Sequence, residues 1–212
     1  PVIHVPSLCY VHEGSEIPME VTVEDDSGVE QVILACRNGG QRNYSEINMT
    51  KTANRFQCTI PATMVNSSGI EYYIEAEDSY GNSTRDPVTG NYTISISIGG
   101  NGIVCDKSQP AGSEQNAYRL VSIPSNVSDR SPQAIFEDDL GTYDDTKWRM
   151  FSLSSDGSYK EYPEFGSISS GKGYWLITKE EGKVIDTGPA KSISTHEEFS
   201  ISSRKNRYNF SL

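Results

Sequence analysis

The chain has 212 residues, with 18 Lys plus Arg against 29 Asp plus Glu and a formal net charge of −11. That charge repels phosphate backbones and anionic lipid, which excludes nucleic acid as a partner class. No run approaches the roughly 18 to 20 apolar residues that cross a bilayer, so no membrane insertion is expected within this segment. The length exceeds a typical single domain and the character of the sequence changes near residues 99–116, which predicts a domain over 1–100, a linker over 101–116 and a second domain over 117–212.

Two features point to a secreted or cell-surface protein. The four cysteines, Cys9, Cys36, Cys58 and Cys105, show no C-x-x-C spacing and only three His accompany them, which favours disulfides over metal; neither a metal nor a cofactor is expected. Seven N-x-S/T sequons, at Asn43, Asn48, Asn66, Asn82, Asn91, Asn126 and Asn209, are candidate glycosylation sites, although Asn, Ser and Thr also enrich turns. The chain begins at Pro1 rather than at Met with a signal peptide, so a fragment or a mature form is expected.

Strand-like runs follow one another through the first half: Val2–Val5, Met19–Val23, Glu30–Arg37, Arg55–Ile60 and Tyr92–Ile98, with an edge strand around Tyr44–Met49. Between the last two interior runs lies the longest, in which Ile70, Tyr72, Ile74 and Ala76 share one face and Glu71, Tyr73, Glu75 and Glu77 the other, the period of a half-buried strand. The predicted inward sets are Met19, Val21, Val23; Val32, Leu34, Cys36; Phe56, Cys58, Ile60; and Tyr92, Ile94, Ile96, Ile98. Short alternating strands at this spacing predict a β-sandwich. Tyr72 precedes Ile74 at the offset where immunoglobulin sandwiches place their corner tyrosine before a core cysteine.

Residues 17–98, with Asp25-Asp26-Ser27-Gly28-Val29, Val32-Ile33-Leu34, Thr59-Ile60-Pro61-Ala62 and Tyr72 through Ser79 followed by Gly81-Asn82, resemble the immunoglobulin-like, fibronectin type III-like modules strung along prokaryotic secreted and surface proteins. The resemblance implies a spacer or a binding platform. The cysteines depart from the usual cysteine-free version. Four cysteines allow three pairings. Cys36 and Cys58 are expected to point inward from opposite sheets and bond, while Cys9 and Cys105 lie outside strands near the domain's exit and are expected to pair.

The acidic turns Glu24–Gly28 and Glu77–Asn82 are predicted to meet at one end of the sandwich, which makes Asp25, Asp26 and Asp78 candidates for Ca²⁺. Ordinary turn chemistry, in which Asp accepts backbone N–H groups, explains them more simply, and no full D-x-D-x-D-G loop is present.

In the second half, Tyr118–Pro124 reads as a strand stopped by proline. Ser131 through Gly141 carries the marks of one short helix, with Ser131 as N-cap, Pro132 in the first position and Gly141 as the stop. Trp148–Leu153, Tyr159–Tyr162, Gly173–Thr178, Lys183–Asp186 and Phe199–Ser202 supply further strands, so the whole is predicted to be all-β, an immunoglobulin-like sandwich followed by a second antiparallel sandwich-like domain with one short helix. Residues 118–178, with Leu120-Val121-Ser122-Ile123-Pro124, Phe136 through Gly141, Trp148-Arg149-Met150-Phe151 and Gly171 through Ile177, resemble a β-rich module that follows such immunoglobulin-like domains in secreted bacterial proteins, a resemblance that implies no activity. Arg207–Leu212 repeats the rhythm of Tyr118–Ile123, as though the same kind of strand were starting again in a longer protein.

No catalytic residues stand out. His4, His12 and His196 sit near no nucleophile-elbow pattern, and the carboxylates of Glu137-Asp138-Asp139 and Asp144-Asp145 are adjacent in sequence rather than placed to flank one glycosidic bond. Tyr143, Trp148, Tyr159, Tyr162, Tyr174 and Trp175 are candidates for stacking on sugar, with Tyr143, Trp148, Tyr162 and Trp175 foremost, set against the alternative that these rings are an internal aromatic layer. The expectation is a non-enzymatic structural or adhesion segment of a larger protein, with neighbouring domains, glycans or host and cell-surface proteins as partners. A carbohydrate-binding accessory module of a secreted enzyme is the alternative, and solvent-facing rings would favour it.

Overall fold

The computed structural model describes residues 1–6, 11–53, 55–105 and 107–193. In chain order the strands of the first half are β1 (Val2–His4), β2 (Val11–His12), β3 (Ile17–Glu24), β4 (Val29–Asn38), β5 (Ser45–Asn48), β6 (Thr50–Thr52), β7 (Arg55–Ile60), β8 (Ile70–Asp78), β9 (Ser83–Asp86), β10 (Tyr92–Ile94) and β11 (Ile96–Ile98). Those of the second half are β12 (Arg119–Ser122), β13 (Asn126–Val127), β14 (Trp148–Leu153), β15 (Tyr159–Glu161), β16 (Gly173–Thr178) and β17 (Ala190–Lys191). The longest helical segment among the described residues is a π-helical turn at Gln133–Glu137 that continues into α1 at Asp138–Leu140; single 3₁₀ turns lie at Ala62–Met64 and Gln115–Ala117. The protein is all-β, as its alternating patterns predict.

The first unit is a two-sheet sandwich. One sheet runs β1-β3-β7-β6 and the other β10-β8-β4-β5, an immunoglobulin-like distribution in which β4 and β8 form the long central pair, from Val29 opposite Asp78 to Asn38 opposite Ile70. Ile70, Tyr72, Ile74 and Ala76 are buried together with Met19, Val21, Val23, Val32, Leu34, Phe56 and Ile60, so the predicted inward sets meet in one core, with the exception of Ile98, which is buried in the second unit. The last strand of that sandwich comes in two pieces. β9 pairs with Ile74–Glu77 and β10 with Ile70–Tyr72, both antiparallel to β8, so one edge is interrupted by residues 87–91.

The other face of β8 is covered in part by its neighbours' side chains, with Glu71 buried and Tyr73 half-buried while Glu75 and Glu77 are exposed. Arg37, opposite Glu71 in the β4–β8 register, pairs with it at 2.7 Å. The Arg37 guanidinium lies 4.3 Å from the Tyr44 ring centroid, Tyr44 meets Tyr73 edge-on at 5.0 Å, and Arg85 lies 4.0 Å from the Tyr73 centroid. Cations stacked on aromatic faces in this way shield a sheet that polar patterning alone would leave wet.

The second unit packs a sheet of order β12-β16-β14-β15 against the helical segment and a small sheet. Its core gathers Ile123, Ile135, Phe136, Leu140, Trp148, Met150, Tyr174 and Leu176. The helix begins as the sequence predicts, with the Ser131 hydroxyl accepting the Ala134 N–H at 3.2 Å, and it stops at Gly141, whose φ of 82° suits glycine.

Residues 101–116 are not a free linker. The small sheet has the order β13-β17-β11-β2 and takes strands from both halves, with Ile98 opposite Ala190 and Ser97 opposite both Lys191 and His12. Beyond it the chain stays laced to the second unit: Ile103 and Thr187 exchange hydrogen bonds, the Cys105 N–H donates to Ile185, and the Gln109 N–H donates to Lys183. The predicted strand Tyr92–Ile98 therefore breaks at Ser95 and changes sheets there. Lys183–Asp186, expected to be a strand, makes isolated bridges to Val104 and Gln109 instead, because its partner is this irregular connector. Phe199–Ser202 and the echo at Arg207–Leu212 lie outside the described residues.

Candidate functional site

The aromatic residues of the second unit separate into two groups on opposite faces of one sheet. Trp148 on β14 is 2% exposed. It stacks with Tyr162 at 5.8 Å and meets Tyr143 edge-on at 5.0 Å, and the cluster continues through Phe165 to Tyr174. Every polar tip in it is paired: Trp148 Nε1 donates to the Gly141 carbonyl at 3.0 Å, the Tyr143 hydroxyl to Glu161 at 3.1 Å and the Tyr162 hydroxyl to Glu137 at 3.0 Å, while the Tyr174 hydroxyl accepts the Ser169 N–H at 2.8 Å. Burial, reinforced by the Glu161 carboxylate, pushes the Tyr143 phenol up to about 12. Trp148 is inside because even-numbered positions of β14 face the core, and the half-buried Tyr143 and Tyr162 pack against it, so these three rings form an inner aromatic layer.

Trp175 faces the other way. The β12–β16 and β14–β16 registers set Leu120, Trp175 and Phe151 in one row across the outer face, with Glu161 next to Phe151 on β15. Tyr159 stands on the same face, 57% exposed, and Trp175 is 38% exposed. Tyr118 closes one side, its ring 5.8 Å from that of Phe151. Gln115, Tyr118, Phe151, Tyr159 and Trp175 line an open depression of about 410 Å³. Beside it Arg149 Nε and Nη2 donate to the two oxygens of Glu161 at 2.5 and 2.7 Å, a fork-to-fork pair that holds the Glu161 carboxyl below its usual range. The Arg149 guanidinium lies 5.0 Å from the Phe151 centroid. Of the sequence candidates for stacking, Tyr159 and Trp175 lie on this face; Tyr118 and Phe151 are the members that the stacking argument from sequence leaves out, and the alternation of β14, which sets Phe151 on the face opposite Trp148, is the signal for the second of them.

The two acidic turns do meet, through Ser27, whose hydroxyl donates to Asp25 at 2.5 Å and to Asp78 at 3.3 Å. Their carboxylates are already committed. Asp78 accepts the N–H groups of Tyr80 and Asn82 and the Asn82 side-chain amide, at 2.7–2.9 Å, and Asp25 accepts the Ser27 N–H and pairs with the Pro1 amino group. These bonds, led by that from Pro1, draw the Asp25 carboxyl down to about 2. Asp26, exposed, joins no group of metal-ligand atoms among the described residues. The carboxylates that do gather, within 4.8 Å of one another, are Asp138, Asp139 and Asp186, where Asp139 accepts the Asp186 N–H at 2.8 Å and Asp186 accepts that of Gly188. Burial raises the Asp139 pKa. This cluster fastens α1 to the 183–188 strip.

Cys36 and Cys58 project into the same core from opposite sheets, but both are free thiols, so the expected bond between them is not formed. Burial pushes both thiols up to about 11. Cys105 is exposed and free, and Cys9 lies outside the described residues, as do His196 and Asn209. His4 and His12 are exposed on separate short strands. Of the sequon asparagines, Asn43, Asn48 and Asn82 are exposed, whereas Asn66, Asn91 and Asn126 are half-buried with side-chain oxygens accepting hydrogen bonds. No described helix is long and apolar enough to cross a membrane.

The chain matches no known family model and no curated protein. Among solved structures it is similar to the GH family 64 laminaripentaose-producing β-1,3-glucanase from Paenibacillus barengoltzii complexed with laminarihexaose, at 10% identity and a TM-score of 0.30. The similarity covers 88% of this chain and 43% of that one. At this level the likeness carries no argument about ligand or reaction.

Proposed function

We propose that this chain is a non-enzymatic structural or adhesion segment of a larger secreted or cell-surface protein. The observation that carries the reading is the sheet shared between the halves: β11 and β2 from the first half pair in one ladder with β17 and β13 from the second, so the two units are joined by main-chain hydrogen bonds rather than by a flexible tether. A fixed joint suits a segment that holds or presents other domains. The exposed sequon asparagines Asn43, Asn48 and Asn82 and the acidic composition support an extracellular setting. Neighbouring domains of a longer chain, and host or cell-surface molecules, are the partners this role implies.

The test is a panel of glycoside, peptide, ester and phosphoester substrates offered to the purified chain. No turnover is expected. Turnover that a point substitution among residues 1–193 abolishes would overturn the reading.

A further inference from the structure

We propose that the outer face of the β12-β16-β14-β15 sheet is a binding site for a neutral oligosaccharide, centred on Trp175, Phe151 and Tyr159. The proposal rests on the adhesion reading above and gives it a ligand class. A sheet face left uncovered is ordinarily polar, since alternation places the apolar residues inward. Here the inner face is already filled by Trp148, Met150, Tyr174 and Leu176, and the outer face carries a second set of large apolar side chains. Their burial satisfies no need of this unit's own core, which is the mark of a surface that something else covers.

The kind of side chain selects the occupant. Four of the five residues lining the depression are aromatic and the fifth is Gln115; the aliphatic Leu120 and Leu153 lie on the same face but outside it. Aromatic faces carry negative charge density that attracts the polarised C–H bonds of one face of a pyranose ring. Trp175 and Phe151 stand directly opposite each other on strands about 4.8 Å apart, so both side chains rise from one face and line the same depression. A sugar resting there turns its hydroxyls outward to the rim, where it needs planar donors and acceptors. Gln115 stands on one side, and on the other the Arg149–Glu161 pair presents both donor and acceptor chemistry beside the Phe151 ring. The bidentate geometry and the Tyr143 hydroxyl on Glu161 fix that pair before any ligand arrives, which lowers the ordering cost of binding. The opening is wide and shallow, as suits a chain passing over the surface rather than a small molecule enclosed by it. A net charge of −11 disfavours polyanionic glycans, which leaves neutral sugars as the class.

Cellohexaose, hexa-N-acetylchitohexaose and mannohexaose, with a polygalacturonate hexamer as the acidic control, titrated into the full chain test this directly. Trp175 is the exposed one of the two tryptophans, so binding shifts the emission and calorimetry gives the affinity. At least one neutral hexasaccharide is expected to bind and the acidic one not to. Trp175→Ala and Tyr159→Ala should each weaken binding tenfold or more. Tyr159 lies on the edge strand, so its truncation leaves the fold in place even where Trp175→Ala does not, and an unchanged thermal midpoint certifies this. Failure of all three neutral sugars to bind overturns the proposal, as does binding that Tyr159→Ala leaves intact in a folded protein. Concentration-dependent dimerisation lost on Tyr159→Ala would also overturn it, since a second copy would then be the occupant. Hydrolysis of a bound sugar would instead overturn the non-enzymatic reading while leaving the binding site standing.

Discussion

Ile96 and Ile98 stand on one short strand, and each is buried in a different core: Ile96, 0% exposed, packs in the first sandwich and Ile98, 3% exposed, in the second unit. Residues two apart on a strand point to the same face, so β11 runs along the seam where one core gives way to the other. A strand shared in this way between two cores predicts that the units unfold together. Both tryptophans, Trp148 and Trp175, belong to the second unit, so tryptophan emission reports that unit alone. Ile98→Ala should destabilise it by about 2–5 kcal/mol, the usual cost of truncating a buried isoleucine. Ile96→Ala, made in the core that holds no tryptophan, should lower the same emission transition in denaturant. An unmoved transition in Ile96→Ala would mean that the units unfold independently.

The connector is held shut at Gly102. Its φ of +66° is a left-handed conformation, and a Cβ there would overlap the Gly188 carbonyl oxygen and the Thr187 hydroxyl. Thr187 is the residue that exchanges hydrogen bonds with Ile103. Gly102→Ala should therefore force the connector away from the 187–188 strip, losing those bonds in addition to the roughly 1–2 kcal/mol that a left-handed backbone costs any other residue. Amide hydrogen exchange should show protection lost at Ile103 and Thr187 and retained in β4 and β8.

The sandwich was legible because its strands alternate strictly: Met19, Val21, Val23 and Ile70, Tyr72, Ile74 can face only one way. The joint was not. Gly99-Gly100-Asn101-Gly102 has the composition of a hinge, and composition carries no information about backbone bonds to residues eighty positions away, such as that between Ile103 and Thr187. Two-residue strands such as β13 and β17 are too short to show a period at all. In the second unit the richness in aromatic residues was plain from sequence, but the side each ring takes was decided by register. Trp148 and Trp175 looked alike in apolar runs, and the β14–β16 pairing sets Phe151, not Trp148, opposite Trp175.

The thiols give a chemical reading of the first core. With their pKa values pushed up to about 11 by burial, the buried Cys36 and the half-buried Cys58 hold only about one part in a thousand of reactive thiolate at pH 8. In a Cys9→Ser background an aromatic disulfide reagent at pH 8 should therefore count one fast thiol, Cys105, and two more only after denaturation. Three equally fast thiols would contradict the burial described. A single thiol even when unfolded, with an intact mass lower by two hydrogens, would mean that Cys36 and Cys58 had become joined.

Asp78 ties the turn after β8 together, and its titration predicts how the first unit meets acid. The Asn82 side-chain amide, followed by the N–H groups of Asn82 and Tyr80, holds its carboxyl below the ordinary value of 3.8. A carboxyl whose folded pKa is depressed binds its proton more readily when unfolded, so its contribution is fully present above about pH 4. It is lost as pH falls from there through the lower folded value, because protonation leaves an oxygen that can no longer accept all of those N–H groups. Denaturant unfolding followed by tyrosine emission between pH 2 and 6 should show stability falling below pH 4. Asp78→Asn should lower the plateau above pH 4 and flatten the slope beneath it. A variant whose slope below pH 4 matched the parent's would assign the acid sensitivity to other carboxylates.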